Sequence, residues 1–160
     1  YAPLSALEVS MAIILAALTR SFLIAIISIG VFSLIVEMPI SNILFIFIFG
    51  FLSAFILGSL GFITGLWAEK FDHTATVTNF IITPLSFLSG VFYSIDKLPK
   101  FFQTISHINP FFYMIDGFRY GFLGKSDGSI TIGLIYLTIL SIIMWYVAFF
   151  LYKKGYKIKS

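Results

Sequence analysis

The sequence contains no cysteine in its 160 residues, so disulfide bonds, thiolate catalysis and cysteine-based metal sites are excluded. Charged residues are also scarce: they make up 11% of the chain, against about 25% in ordinary soluble domains. Hydrophobic residues reach 59%. A soluble fold cannot bury that much apolar surface, so the composition predicts an all-α membrane protein whose helices cross the hydrocarbon core.

Motifs for catalysis and for nucleotide binding are missing as well. The chain has no GxxxxGK[ST] loop, so it cannot hydrolyse ATP in the P-loop manner, and it has no HExxH zinc motif. No predicted span carries an acid or a histidine in its interior, which argues against a membrane-embedded enzyme. His73 and His107 lack further ligands at metal spacing, so we expect no metal or cofactor on this chain. The ten basic residues are scattered, which argues against a nucleic-acid partner.

The start of the chain predicts a helix at the membrane surface. Tyr1 is not an initiator Met, and neither a basic n-region nor a cleavage site follows, so we interpret the chain as a fragment. Ser5 and Glu8 have the spacing of a capping box, which predicts the start of a helix. The apolar stretch that follows is short and is closed by Arg20, so we predict a surface helix over residues 5–18.

Four longer apolar stretches predict a polytopic bundle of transmembrane helices. The first ends before Glu37, and the second ends at Trp67, a residue common at membrane interfaces. The third contains Asn79 and Pro84, which lipid tolerates only beside protein or water. A basic tail follows the fourth and is expected to be cytoplasmic by the positive-inside rule. The spans lie at about residues 21–36, 43–66, 75–92 and 130–152.

The connection between the third and fourth spans is too apolar for a solvated loop. Its first part predicts a short amphipathic helix, because four apolar residues share one helical face. Asn109 and Pro110 then read as an N-cap followed by proline at the first helical position. We therefore predict an external re-entrant helical hairpin over residues 98–122. The four apolar residues are Phe101, Phe102, Ile105 and Ile108.

Two patterns of the chain allow more than one reading. Asp116 and Arg119 are close enough to pair, and they either gate a path or anchor the hairpin locally. Gly117 and Gly121 have a GxxxG spacing that allows close backbone approach. A stripe of small residues in the second span is consistent with static packing or with a sliding surface. The stripe consists of Gly50, Ala54, Gly58, Gly61 and Gly65.

Several of these elements together resemble a known family. Residues 83–94 (TPLSFLSGVFYS), Leu98-Pro99, Asn109-Pro110 and residues 116–121 (DGFRYG) follow one another in a specific order and spacing. This series resembles the ABC-type-2 exporter permeases, especially the small inner-membrane permeases of bacterial drug and polysaccharide exporters. The resemblance extends over essentially the whole chain, which would correspond to the third to sixth spans of a six-span permease.

The resemblance implies a dimeric permease core, with a second permease subunit forming a homodimer, in the bacterial inner membrane. Cytoplasmic elements would dock on ATP-hydrolysing subunits that bind ATP and Mg. Residues 5–18 would form the coupling helix, which transmits nucleotide-driven closure. Glu8 also caps the start of this helix. The implied coupling residues are Ser5, Leu7, Glu8, Glu69, Lys70 and Phe71. The implied path and hairpin residues are Pro84, Phe87, Gly90, Tyr93, Asn109, Pro110, Tyr113, Asp116 and Arg119.

The implied cargo is a drug, a polysaccharide or a lipid-like molecule, and a helical bundle does not fix which of these is moved. Composition alone also allows a non-transporting structural or assembly protein of the membrane. Only the predicted hairpin and the predicted coupling segment argue against that alternative.

Overall fold

The computed structural model describes residues 5–68, 71–92 and 97–155. All regular elements in these ranges are helical, which confirms the predicted all-α class. The elements are α1 (Ala6–Ser33), α2 (Ile43–Trp67), α3 (Phe71–Val77), a π-helical segment (Thr78–Ile82), α4 (Thr83–Phe87), α5 (Lys100–Ile108), α6 (Pro110–Leu123) and α7 (Ile130–Lys153).

Helix α1 runs without a break for 28 residues. The predicted division at Arg20, with a surface helix over residues 5–18 and a separate span over residues 21–36, is therefore wrong. Runs of Ala, Leu and Ile on both sides of Arg20 favour one continuous helix, and a single charged residue does not interrupt backbone hydrogen bonding. The charge that was expected to mark a helix end instead lies halfway along the helix.

The packed centre of the fold is α2, which contacts both α6 and α7. Helices α2 and α7 begin and end within one residue of two stretches predicted as spans, 43–66 and 130–152. Their hydroxyl groups bond within their own helices; for example, Ser141 donates to the Leu137 carbonyl at 2.7 Å. The buried core consists of Phe49, Ile56, Phe112, Tyr113, Met114 and Leu137.

The stretch predicted as the third span forms an irregular helix made of α3, the π-helical segment and α4, with seven, five and five residues. Pro84 lacks a backbone N–H, and the Thr83 hydroxyl donates to the Thr78 carbonyl at 2.9 Å across the widened turn. The chain leaves the helix after α4 and takes a left-handed conformation at Gly90, with φ of 78°. We call this element the interrupted helix.

Three helices in the described part of the chain, α1, α2 and α7, are long and apolar enough to cross a membrane. The interrupted helix is not one of them, so a fourth crossing stays a prediction. The outer faces of the long helices carry large apolar side chains; Ile26 and Ile27 on α1 are 66% and 64% exposed. Such faces are suited to contact with lipid.

Candidate functional site

Helices α5 and α6 meet at Asn109, as predicted; that residues 98–122 form a re-entrant hairpin stays a prediction, and we call these residues the hairpin. The Asn109 side chain accepts a hydrogen bond from the Phe111 N–H at 3.0 Å, and Pro110 is the first residue of α6. The same side chain is buried, and its Nδ2 donates to the Leu85 carbonyl of α4 at 2.6 Å. Asn109 therefore starts α6 and also attaches the hairpin to the interrupted helix.

Two further side chains of the hairpin donate hydrogen bonds to backbone carbonyl groups that follow α4 in the chain. Ser106 Oγ donates to the Leu88 carbonyl at 3.0 Å, and Arg119 Nη2 donates to the Gly90 carbonyl at 2.7 Å. These carbonyls lie beyond the end of the interrupted helix, where backbone C=O groups lose their intrahelical donors. Bonding them removes the cost of leaving polar groups unpaired in apolar surroundings. We call the three donors, Ser106, Asn109 and Arg119, the hairpin clamp.

Asp116 fixes the loop between α6 and α7. Its buried carboxylate accepts from the backbone N–H groups of Asp127 at 2.7 Å and Gly128 at 3.0 Å. Arg119 Nη1 lies 3.9 Å from the Asp116 carboxylate, so the predicted pair exists, but its closer partner is the Asp127 carboxylate. A buried carboxylate with two N–H donors and a cation nearby is satisfied. Asp116 and Arg119 thus connect α6 to two other segments.

The close approach predicted for the glycines of α6 is confirmed, and the helix they approach is α2. A Cβ atom on Gly117 would overlap the ring of Phe49, and one on Gly121 would lie 2.5 Å from Cγ1 of Ile46. The Gly121 carbonyl also accepts from the N–H of Asn42 at 2.8 Å. These contacts hold the hairpin against the start of α2.

Tyr113 was predicted to line a path but lies in the core. Its ring centroid is 5.0 Å from that of Phe112 and 5.1 Å from that of Tyr136. Burial raises the pKa of the Tyr113 hydroxyl above its ordinary value, so the phenol is neutral at physiological pH. The structure assigns Tyr113 to packing between α6 and α7.

The remaining predicted path residues lie on the interrupted helix or after it. Pro84 is in the first turn of α4, and its carbonyl accepts from the Leu88 N–H at 3.1 Å. Phe87 is 55% exposed and stacks on Phe92 at a centroid distance of 5.5 Å. Tyr93 lies outside the described residues.

The predicted coupling residues fall at two separate places. Ser5 and Glu8 form the predicted capping box: the Ser5 N–H donates to the Glu8 carboxylate at 2.7 Å, and the Glu8 N–H donates to Ser5 Oγ at 3.3 Å. Leu7 is 50% exposed beside them. Phe71 begins α3, which makes no contact with α1 in the described ranges. Glu69 and Lys70 lie outside those ranges.

The loop after α6 was not recognised from the sequence as part of this site. Residues 124–128 read GKSDG and match the GxSxG pattern of hydrolase nucleophile elbows. That elbow needs a strand before it and a helix after it, whereas helices flank this loop on both sides. Gly124, with φ of 67°, is the C-cap of α6. The available signal for Asp127 was the Asp-Gly dipeptide, which favours a turn directly behind α6.

Metal binding has no support in the site: within residues 5–68, 71–92 and 97–155, no group of three His, Asp or Glu side chains could hold an ion.

The site is built from structural elements that follow one another in a definite order along the chain. Two long apolar helices are followed by the interrupted helix, the Asn109-Pro110 turn and the α6 motif. Residues 1–123, which contain this whole series, match the family described as ABC-2 type transporter. The chain belongs to this family.

Individual relatives of this ABC-2 chain agree with the family assignment. The inner membrane transport permease YadH of Escherichia coli K12 is 38% identical over 109 residues, which are 68% of the chain and 43% of YadH. Nodulation protein J of Sinorhizobium fredii NGR234 is 27% identical over 97 residues, covering 61% of the chain and 37% of that protein. Nodulation protein J of Rhizobium leguminosarum bv. viciae is 30% identical over 90 residues, covering 56% and 35%. No solved structure matches the chain.

These matches confirm the resemblance seen in the sequence. The matched part of the ABC-2 chain spans less than half the length of the curated relatives. The hairpin clamp lies inside the residues that match the family, and α7 follows after them. Family membership and the three long apolar helices make the chain a membrane protein of a transport permease family.

Proposed function

We propose that the chain forms part of the permease subunit of an ATP-driven exporter in the bacterial inner membrane. A separate ABC subunit would bind Mg and hydrolyse ATP, and a second permease subunit would complete the transport path. The cargo would be a drug, a polysaccharide or a lipid-like molecule. The proposal is supported by the family match and by similarity to a protein named as an inner membrane transport permease.

The observation that carries this proposal is the hairpin clamp. Three side chains of one short hairpin satisfy the carbonyls of an irregular helix end. Such backbone survives at membrane depth only where protein or an aqueous cavity surrounds it. We infer that residues 98–122 dip into the outer leaflet and close the exit of the path. Residues 75–92, the third span in chain order, would then cross the membrane in addition to α1, α2 and α7, with Phe87 and Phe92 at the outer end.

The opposite end of the bundle would face the ATP-hydrolysing subunit. The first turn of α1 and the segment before α3 carry the coupling residues implied by the family, and the basic tail after α7 would lie on the same, cytoplasmic side. Changing Glu8→Gln keeps a hydrogen-bonding side chain for the capping box and removes the charge. We expect a folded variant that transports less cargo per ATP, and an unchanged ratio would remove Glu8 as a contact.

The experiment that tests the proposal is reconstitution of the full-length permease with its candidate ATP-hydrolysing partner in liposomes. ATPase rate and cargo accumulation are measured across a panel of drugs and lipid-linked sugars. We expect at least one cargo to stimulate ATP turnover and to accumulate across the bilayer. If the partner neither binds nor responds, the alternative of a non-transporting structural or assembly protein replaces the exporter.

A further inference from the structure

A groove runs along the contact between α1 and α2. Its larger part has a volume of about 810 Å³ and lies between α1, α2 and Tyr152 near the end of α7. A second part, of about 330 Å³, continues between α1 and α2 toward Phe118. Ser21, Ala54 and Leu57 line both parts, so the two form one groove.

Arg20 is the charged residue of this groove. It lines the larger part, and every other residue lining either part is uncharged. It forms no hydrogen bond or ion pair with any residue that the structure describes. One turn before it, Ala17 Cβ lies 3.0 Å from a Cβ built on Gly58, in the interior of α2. Arg20 is thus far from the ends of two helices that can cross a membrane, where an unpaired charge is costly.

The polarity of the groove changes along its length. The larger part holds Arg20, whereas the part toward Phe118 has no charged residue and is lined mainly by aliphatic and aromatic side chains, with Ser21 and Ser53 among them. The floor of the larger part includes Gly61 and Gly65, and a Cβ on either of them would meet nothing within 4 Å. The described residues therefore leave the groove unfilled. A cation at one end and an apolar trough at the other complement a ligand with an anionic head and a hydrocarbon tail.

A second copy of the described helices does not supply the missing anion. The long helices α1, α2 and α7 carry one acidic residue, Glu8, in the first turn of α1 and away from the depth of Arg20. These three helices therefore supply no anion at the depth of Arg20, whichever copy they come from. Anionic lipids surround a membrane protein at high local concentration.

We propose that the groove binds an anionic phospholipid of the surrounding bilayer, with its phosphate on Arg20 and an acyl chain along the apolar part. A guanidinium binds phosphate through two parallel N–H donors. Helical side chains generally point toward the helix N-terminus, and Ile13, which is closer to that end of α1, lines the same part of the groove as Arg20. Bilayers thin locally around such a residue, which brings the phosphate within reach.

The test measures lipid binding to the purified full-length permease in detergent by native mass spectrometry, with dioleoylphosphatidylglycerol and dioleoylphosphatidylcholine as probes. We expect preference for phosphatidylglycerol, and an affinity for it about tenfold weaker after Arg20→Gln. Lys125→Gln, which removes an exposed loop cation, is expected to leave binding unchanged. If the wild-type protein shows no preference, or Arg20→Gln binds as the wild type does, the proposal is overturned. A groove filled by another transmembrane helix gives the first of these results.

A second pair of variants tests the apolar part without touching the charge. Gly61→Leu fills the groove, and Gly30→Leu places the same side chain on α1 outside its lining; a Cβ at either glycine meets nothing within 4 Å. Both variants are therefore expected to fold, which size-exclusion chromatography checks. We expect Gly61→Leu to weaken phosphatidylglycerol binding and Gly30→Leu to leave it intact. Full binding by Gly61→Leu contradicts the proposed position of the acyl chain.

Discussion

The two halves of α2 carry similar small residues but are packed differently. In the half beside α6, a Cβ on Gly50 would lie 3.2 Å from the Phe118 ring, and the α6 glycine Gly117 sits against Phe49. In the other half, Gly61 and Gly65 face open space. Static packing therefore explains the first part of the predicted small-residue stripe and leaves the second part unexplained. The chain completes its own packing around the hairpin, whereas the described residues leave the groove at Arg20 open.

The largest effect is expected from Gly117→Ala, which breaks the packed half. The added Cβ overlaps the Phe49 ring in the core, so we expect a loss of about 1–3 kcal/mol in the free energy of unfolding, or failure to fold. Thermal unfolding in detergent measures the loss. Wild-type stability for this variant would show that α6 does not approach α2 as closely as described.

Asp116→Asn is expected to cause the next largest loss of stability. The carboxylate accepts two backbone N–H groups of the loop before α7, and an amide has one oxygen, so one N–H would face an NH₂ group. We expect a loss of about 1.5–3 kcal/mol, measured by the same unfolding assay. Asp127→Asn is the matched control, because Asp127 is more exposed and is expected to cost less. A larger loss for the control would contradict the central role of Asp116.

Asn109→Ala tests the clamp against an ordinary helix cap. Asn109 caps α6 and also bonds the Leu85 carbonyl, whereas Asn42 caps α2 through the Leu44 N–H with no clamp bond. Loss of a cap costs roughly 0.5–2 kcal/mol, and the additional unpaired carbonyl adds about 1 kcal/mol or more. We therefore expect Asn109→Ala to destabilise the protein more than Asn42→Ala. Equal losses would mean that the bond to α4 contributes nothing measurable.

Gly61→Ala is expected to have the smallest effect, with the opposite sign. Its Cβ meets nothing within 4 Å, so the substitution is expected to leave stability unchanged or to raise it by up to about 1 kcal/mol through helix propensity. The unfolding assay used for Gly117→Ala provides the direct comparison. A loss as large as that of Gly117→Ala would show that the groove is filled in the full-length protein.

Local signals in the sequence predicted much of the architecture. The apolar runs after Asn42 and Ser129, both N-caps in the structure, predicted helices α2 and α7 closely. Asn109-Pro110 predicted the start of α6. These features depend on neighbouring residues, so periodicity and capping residues are sufficient to find them. The same signals place candidate site residues on elements without showing what their side chains contact.

Features that depend on tertiary contacts were missed. The sequence predicts a helix end at Arg20 because a charge in an apolar run usually marks a membrane boundary, and it does not show that Arg20 lines a groove between α1, α2 and the end of α7. The bond from Arg119 to the Gly90 carbonyl and its pairing with Asp127 cross long sequence separations. Helical spacing suggests the neighbour at i, i+3 and gives no information on such partners.

The most direct test of the central claim locks the hairpin clamp during transport. Leu88→Cys and Ser106→Cys introduce thiols at two residues that are joined by the hydrogen bond from the Ser106 hydroxyl to the Leu88 backbone carbonyl, in 160 residues that contain no cysteine. Transport by the reconstituted exporter is measured with the pair reduced and oxidised, with each single variant as control. We predict that oxidation stops cargo export, that reduction restores it and that the ATP-hydrolysing partner stays bound throughout. Undiminished export with the disulfide verified by mass spectrometry would contradict the proposal that this hairpin closes the exit of the path.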